Sequence, residues 1–183
     1  INNINLDGCI RPETNLESMA ALKPVFDKEG VVTAGTSSPL TDGASAVVVC
    51  SENYAKSNNL DIMAYIRGMA ISGCSPEIMG IGPVISSMKA LKRAGLDLKD
   101  IDIIEMNEAF AAQSLACVKE LGIDMSKLNV HGGAIALGHP LGASGSRITG
   151  KAASLLQTEG GRYALSTMCV GGGQGCATVL ERA

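Results

Sequence analysis

Two titratable side chains lie in segments made mainly of small residues. His139 occurs within HGGAIALGHPLGASGSR (131–147), and Cys169 occurs within MCVGGGQG (168–175). Imidazole and thiol groups transfer protons in enzymes, and a glycine-lined backbone lets a substrate approach closely and leaves N–H groups free to donate hydrogen bonds. Because Pro140 biases the preceding residue toward an extended backbone, we expect His139 to be held in position. These two loops are the candidate site of acid–base chemistry.

Each of these signals also has a structural explanation. A single histidine in a glycine-rich loop is often only a hydrogen-bonded loop residue, and a buried cysteine is often an inert core side chain. We apply the second interpretation to Cys50, Cys117 and Cys176. The GGGQG sequence differs from a phosphate-binding loop, because it lacks the Lys-Ser/Thr pair and precedes a predicted strand.

The surrounding sequence predicts alternating helices and strands. Helical spacing and capping signals predict helices at 13–22, 52–58, 83–95, 107–122 and 144–161, with Asn107 as an N-cap. Short apolar runs predict strands at 44–52, 62–73, 101–106, 162–170 and 175–182. We therefore expect an α/β layered fold in which helices cover a mixed sheet, with a boundary near residue 62. The candidate residues then lie in loops that leave strand ends, at 104–110, 132–145 and 168–175.

The composition excludes several classes of protein. The 183 residues are 46% hydrophobic and carry an interspersed formal charge of −3, so we expect a globular chain that binds no nucleic acid. No apolar run approaches the ~18 residues that a membrane span requires, and no membrane span is expected. The six cysteines include no C-x-x-C pair, so no metal site is predicted, and they resemble the reduced cysteines of intracellular proteins.

Five segments taken together resemble the thiolase family. They are TAGTSSPLTDGASAVVV (33–49), MGIGPV (79–84), NEAF (107–110), GGAIALGHPLGASGSRI (132–148) and CVGGGQG (169–175). The resemblance covers essentially the whole chain and implies a thiolase-like layered fold with a mixed five-stranded sheet. It also implies three parts, namely the end of a CoA-binding loop domain (1–40), the last elements of the N-terminal domain (41–62) and a complete C-terminal domain (63–183).

The resemblance implies acyl transfer between CoA thioesters through a covalent acyl-cysteine. His139 is expected to activate the nucleophilic thiol and, with a water held by Asn107, to donate hydrogen bonds to the thioester oxygen of the acetyl-CoA enolate. Cys169 is expected to protonate the leaving carbanion and later to deprotonate the incoming CoA thiol. The backbone N–H of Gly171 is expected to be one donor of a second oxyanion hole for the acyl-enzyme carbonyl.

Four further positions match family residues that contact CoA. Ser38 matches a serine that contacts the pantetheine arm, and Phe26, Met79 and Phe110 match apolar residues that line the tunnel around it. Simple core packing is the alternative interpretation for these three apolar residues. The resemblance implies acyl-CoA and CoA as substrates, with no metal and no tightly bound cofactor.

One part of the thiolase pattern does not match. The family nucleophile is a cysteine of the N-terminal half that is followed by a small, glycine-rich helix start, and no cysteine of this sequence has that context. We therefore expect the chain to be the C-terminal part of a thiolase, inactive by itself, with the nucleophile on an N-terminal half that is a separate or missing chain. The resemblance also implies a homo-oligomer of the complete enzyme.

The motif sequences resemble degradative 3-ketoacyl-CoA thiolases more closely than biosynthetic thiolases. Thiolytic cleavage by the degradative enzymes releases acetyl-CoA in fatty-acid β-oxidation. Thr36 stands where biosynthetic thiolases usually carry asparagine. The alternatives are a biosynthetic acetyl-CoA acetyltransferase, a non-catalytic assembly module, and a decarboxylating condensing enzyme, which generally lacks a cysteine at the position of Cys169. The expected location is the cytoplasm, with the mitochondrial matrix or the peroxisome as alternatives.

Overall fold

A mixed sheet of four strands is the centre of the fold in the computed structural model, which describes residues 5–183. The strands are β1 (Ala64–Gly73), β2 (Ile103–Met106), β3 (Tyr163–Val170) and β4 (Gln174–Arg182). Their order across the sheet is β1-β4-β3-β2. Strand β4 is antiparallel to both of its neighbours, whereas β2 is parallel to β3. The predicted α/β layered fold with a mixed sheet is confirmed.

The expected fifth strand is absent from the described residues, so that prediction is wrong. Beside β2 the chain forms only a single parallel bridge between Ile104 and Leu128. The next residue, Asn129, has a φ of 45°, which ends the extended backbone. Its side chain replaces the strand pairing, because Met106 N–H donates to Asn129 Oδ1 at 2.9 Å and Asn129 Nδ2 donates to Met106 O at 2.9 Å.

Helices cover both faces of the sheet. Helices α3 (Gly82–Ala94) and α4 (Ala111–Leu121) lie on one face, where Leu91, Ile104 and Val179 belong to the larger core cluster. Helix α6 (Leu141–Thr158) packs against β2, β3 and β4 on the other face. Successive residues of a strand point to opposite faces, so Ile103 and Glu105 of β2 lie on the α6 side. Burial of both faces fixes the register of the sheet.

The helix ends follow the sequence signals in part. Helix α3 ends at Gly95, as predicted, and this glycine adopts a left-handed conformation with a φ of 71°. The predicted N-cap Asn107 is wrong, because α4 begins at Ala111 with Phe110 as its N-cap residue. Asn107 instead continues the hydrogen bonding of β2, which leaves its side chain available for the site described below.

The first part of the chain contains two short helices, α1 (Leu16–Ala20) and α2 (Glu52–Ser57). The strand predicted at 44–52 is wrong, since the residues before α2 form no strand and Val48 is 86% exposed. A strand needs a neighbouring strand to pair its N–H and C=O groups, and none of the described strands lies beside this segment. Cys50 in this segment is exposed, so its interpretation as core is also wrong, whereas Cys117 is buried.

The domain limits at 1–40, 41–62 and 63–183 stay predictions, and residues 1–4 lie outside the described part of the chain. Among the described residues, no helix has the length and apolar character needed to cross a bilayer.

Candidate active site

Two neighbouring parallel strands bring Asn107 and Cys169 to the same edge of the sheet. Met106, the last residue of β2, is paired with Thr167 of β3. The N–H of Asn107 then donates to Thr167 O at 3.0 Å, so the backbone of Asn107 extends the strand pairing. Cys169 follows Thr167 by two residues along β3. Because the carboxyl ends of parallel strands collect functional groups in α/β folds, this edge is the expected place for a site.

His139 reaches this edge from the loop between α5 (Ala134–Leu137) and α6. Its backbone N–H donates to Thr41 Oγ1 at 3.2 Å. The preceding residue, Gly138, has a φ of 95°, and a Cβ added there would lie 2.5 Å from Thr41 Oγ1. Only glycine combines this backbone angle with this close approach. The glycine before the histidine is therefore part of what positions the ring.

Both nitrogens of the His139 ring have side-chain partners. Ser144 Oγ lies 2.6 Å from Nδ1, and Asn107 Nδ2 lies 3.3 Å from Nε2. An amide nitrogen only donates, so Nε2 accepts and the neutral ring carries its proton on Nδ1. Ser144 then accepts from Nδ1–H and donates to Pro140 O at 3.2 Å. In this tautomer Nε2 is the unprotonated, basic nitrogen of the ring, and its lone pair accepts from Asn107 Nδ2.

Burial lowers the pKa of His139, and the nearby Arg147 guanidinium lowers it further. Both effects disfavour the imidazolium form. The ring is therefore neutral at neutral pH, which is the protonation state required of a general base.

Asn107 has unused hydrogen-bonding capacity at the site. The residue is fully buried, and its Oδ1 has no hydrogen-bond partner among the described residues. An unpaired buried amide oxygen costs about 1–3 kcal/mol unless something donates to it. Asn107 Oδ1 is thus the atom of the site best suited to accept a hydrogen bond from a bound molecule.

Cys169 lies near the end of β3, where the chain turns into β4. It is 5% exposed, and burial raises the pKa of its thiol, with the backbone hydrogen bond acting in the opposite direction. The thiol form is therefore stable at neutral pH and holds a proton that it can donate. Gly171 lies in the exposed turn that follows, where Gln174 Nε2 donates to its carbonyl at 3.2 Å.

The four candidate CoA contacts occupy different environments. The Ser38 N–H and hydroxyl both donate to Ala109 O, at 3.0 and 3.2 Å, and Ser37 is bridged to Phe110. Ser38 and Phe110 are thus brought together beside Asn107. Met79 is half-buried in a 3₁₀ helix (Pro76–Ile81), and the Phe26 ring is 79% exposed.

Sequence analysis missed the residues that hold the histidine loop, here defined as residues 129–139. Glu108 accepts from Asn129 Nδ2 at 2.7 Å and from Ile135 N–H at 3.1 Å. Lys151 Nζ donates to Gly132 O at 3.0 Å, and Ser144 holds the histidine ring. The available signal was the spacing of Ser144 and Lys151 by seven residues, which places both side chains on one side of α6.

A cavity of about 350 Å³ lies behind the histidine loop. Its lining includes Cys9, Asp42, Gly138, Pro140 and Arg147. Within residues 5–183, no three His, Cys, Asp or Glu side chains are grouped as metal ligands would be. The chemistry of the described site is therefore that of an imidazole, a thiol, an amide and backbone N–H groups.

The sequence matches a known family over most of its length. The model of the thiolase C-terminal domain matches residues 60–182, and the model of the thiolase N-terminal domain matches residues 2–53. The chain belongs to the thiolase family. The expected resemblance is thereby confirmed. The N-terminal match ends before β1, and the C-terminal match contains all four strands of the sheet.

Individual thiolases are similar to this chain over nearly its whole length. A 3-ketoacyl-CoA thiolase of Vibrio cholerae is 56% identical over 183 residues, which cover 98% of this chain and 47% of the relative. Human mitochondrial 3-ketoacyl-CoA thiolase is 52% identical in sequence, and its crystal structure matches with a TM-score of 0.96. The match covers 98% of this chain and 46% of the human chain, and the human enzyme has also been solved in complex with CoA. Bacillus anthracis acetyl-CoA acetyltransferase is 44% identical with a TM-score of 0.94, over 97% and 45% of the two chains. The chain spans about half the length of the thiolases that it matches.

Proposed function

We propose that this thiolase chain supplies the acid–base groups of an active site that transfers acyl groups between 3-ketoacyl-CoA and CoA. The similarity to 3-ketoacyl-CoA thiolases supports this substrate class. The human structure in complex with CoA supports CoA as the acyl acceptor. In this proposal the direction is thiolytic cleavage, which releases acetyl-CoA.

The observation that carries the proposal is the contact between Asn107 and His139. The amide holds Nε2 at 3.3 Å and Ser144 holds Nδ1 at 2.6 Å, so the ring has a fixed orientation. A purely structural loop histidine does not require a buried amide whose oxygen is left without a partner. Once Nε2 has taken a proton it becomes a donor, and the imidazole N–H is then suited to a thioester oxygen.

The proposed chemistry assigns the proton transfers to two groups, His139 and Cys169. His139 takes the proton of the nucleophilic cysteine, whose thiolate attacks the 3-keto carbonyl of the substrate. The carbon–carbon bond between the 3-keto carbon and the acetyl-CoA unit then breaks. The acetyl-CoA carbanion that leaves takes a proton from the Cys169 thiol. The resulting Cys169 thiolate deprotonates CoA, whose sulfur attacks the acyl-cysteine. The nucleophilic cysteine leaves as a thiolate and takes back the proton held by His139. The Gly171 N–H stabilises the oxyanion of the acyl-enzyme steps.

The nucleophile is assigned to an N-terminal thiolase half outside these 183 residues. The surface of the chain supports a partner there, because Met69 and Ile71 of the edge strand β1 are 56% and 68% exposed on the α6 side of the sheet, beyond the strands that α6 covers. Val47, Val48 and Val49 are also exposed. Exposed apolar side chains grouped in this way mark an interface.

The proposal includes four contacts to the CoA arm, made by Ser38, Met79, Phe110 and Phe26. It also includes a homo-oligomer of the complete enzyme.

Peptide mapping of the acylated protein tests the assignment of the nucleophile. The complete protein is incubated with 3-ketoacyl-CoA without free CoA, digested, and searched by mass spectrometry for the acyl adduct. The proposal requires the adduct on a cysteine outside these 183 residues. An adduct on Cys169, or failure of the complete protein to cleave 3-ketoacyl-CoA when CoA is added, would contradict it.

A second candidate function is acetyl transfer between two acetyl-CoA molecules. The similarity to the Bacillus anthracis acetyl-CoA acetyltransferase favours it. The two functions differ in the range of acyl chains accepted. Cleavage of six-carbon and longer 3-ketoacyl-CoA substrates at rates comparable to acetoacetyl-CoA supports the first function, and cleavage of acetoacetyl-CoA alone supports the second.

A further inference from the structure

Helix α6 presents a row of polar side chains to the histidine loop. Ser144, Arg147 and Lys151 are spaced by three and four residues, so they lie on one side of the helix. Ser144 contacts the His139 ring, and Lys151 Nζ donates to Gly132 O near the other end of the loop. Arg147 lies between them, and its Nε is buried without a hydrogen-bond partner among the described residues. Two cations on this inner side need a counter-charge.

Glu105 provides that counter-charge from the sheet. It is 1% exposed on β2, on the side that faces α6, and its Oε1 lies 3.6 Å from Lys151 Nζ. Burial is the largest influence on the Glu105 carboxyl and leaves its pKa above the usual value, although the charges of Lys151 and Arg147 oppose that rise. A carboxylate removed from water is retained in its charged form only when cations compensate it. Glu105, Arg147 and Lys151 therefore form one buried charge cluster.

We propose that Glu105 is a positioning residue whose carboxylate pairs with Lys151, offsets the charge of Arg147 on the same side of α6, and so sets the charge around the His139 ring. The cluster carries one negative and two positive charges. Lys151 donates to Gly132 O in the loop, and Arg147 lies one helical turn beyond Ser144, which contacts the ring. The catalytic meaning of this role rests on the proposed function, in which His139 transfers a proton.

The proposal predicts opposite effects of neutralising the two signs of charge. Glu105→Gln leaves two uncompensated cations, so imidazolium is disfavoured and the titration midpoint of His139 falls, on the order of half a pH unit. Lys151→Met removes a cation and keeps the apolar stem, so the midpoint rises. The double variant has the net charge of the wild-type cluster, and its midpoint returns toward the wild-type value. A purely structural role does not produce opposite signs that cancel.

The other charged and titratable groups around the ring stay unchanged in these variants. They are Glu108 after β2, Asp42 beside the cavity, Cys169 on β3 and Arg147 on α6. The control is Glu159→Gln, which removes a carboxylate 3.2 Å from the other histidine, His131. This control leaves the midpoint of His139 unchanged.

The measurement is a proton NMR titration of the His139 ring in the complete protein, with the signal assigned by its loss in His139→Asn. A fall in Glu105→Gln together with a rise in Lys151→Met supports the proposal. Unchanged midpoints, or shifts of the same sign, overturn it. If Glu105→Gln does not fold, Lys151→Met decides alone, because only a rise supports the proposal. This readout does not need turnover, so failure of the proposed function shows separately as absent thiolysis.

Discussion

Ser144→Ala tests how much the orientation of the His139 ring contributes to catalysis. The hydroxyl lies 2.6 Å from His139 Nδ1, and Ser144 is fully buried. The substitution leaves the Nδ1–H donor without its partner, which costs about 1–3 kcal/mol when no water replaces it. The ring then loses the contact that fixes its orientation, so Nε2 is less often placed to act as a base.

If this free energy is lost only in the transition state, kcat falls by roughly 5- to 150-fold, since each 1.36 kcal/mol is tenfold in rate. The KM for 3-ketoacyl-CoA changes much less, because Ser144 is buried behind the ring and not at the cavity surface. The assay is the initial rate of CoA-dependent cleavage by the complete enzyme, followed by loss of 3-ketoacyl-CoA.

Ser146→Ala is the matched control. Ser146 lies on the same helix, two residues along, and its hydroxyl contacts Ser45 and Ala143 instead of the histidine. The control retains wild-type kcat. A Ser144→Ala enzyme with kcat within about twofold of wild type, a difference of roughly 0.4 kcal/mol, would refute the orientation argument.

Three further substitutions or treatments test the surrounding structure. Gly138→Ala places a side chain at a φ of 95° and in collision with Thr41, so we expect the unfolding free energy to fall by at least about 1–3 kcal/mol. The control is Gly142→Ala, where nothing lies within 4 Å of the added Cβ and only a small change is expected. Asn129→Ala removes two hydrogen bonds to Met106 and is expected to cost about 2–4 kcal/mol in chemical denaturation, whereas a loss below 1 kcal/mol would contradict its role beside β2. Burial raises the pKa of Cys117 to about 11, so alkylation at pH 8 modifies it only after unfolding, and rapid labelling of the native thiol would contradict its burial.

The lowered His139 pKa also has a stability consequence. The unfolded chain binds a proton to this ring at higher pH than the folded chain does, so this contribution to stability is present above the unfolded pKa of about 6.5 and is lost as pH falls through the folded value. We expect His139→Asn to flatten the pH dependence of unfolding free energy below that pH. An unchanged slope would contradict the direction of the shift.

Local sequence signals predicted much of the C-terminal fold, because its apolar patterns match the periods of its elements. Strand β1 and helix α3 with its Gly95 end were predicted from such patterns. The strand predicted at 44–52 was wrong because an apolar segment forms a strand only when another strand pairs with it. No such neighbouring strand is among the described elements. Asn107 has a residue type that favours N-caps, but its backbone continues β2, and sequence alone does not decide between these two uses.

The candidate site was predictable only where a titratable residue and its glycine-rich surroundings lie in the same short segment. His139 and Cys169 stood out because glycine surrounds them, and the resemblance to thiolases gave them and Asn107 their roles. Two of the groups that orient His139 come from distant positions, since Asn107 lies 32 residues away and Thr41 lies 98 residues away. Glu105 was unpredicted because a carboxylate within an apolar strand becomes meaningful only when α6 places two cations over it. Such pairings depend on tertiary packing.

The kinetics of Cys169→Ala in the complete enzyme test the central claim most directly. Removing a general acid–base group typically lowers the rate by about 10²- to 10⁴-fold, and we expect a loss of this size in both thiolysis and its reverse. Cys176→Ala on β4 is the control, because Thr167 contacts only the backbone carbonyl of Cys176. A Cys169→Ala enzyme as active as this control would contradict the account.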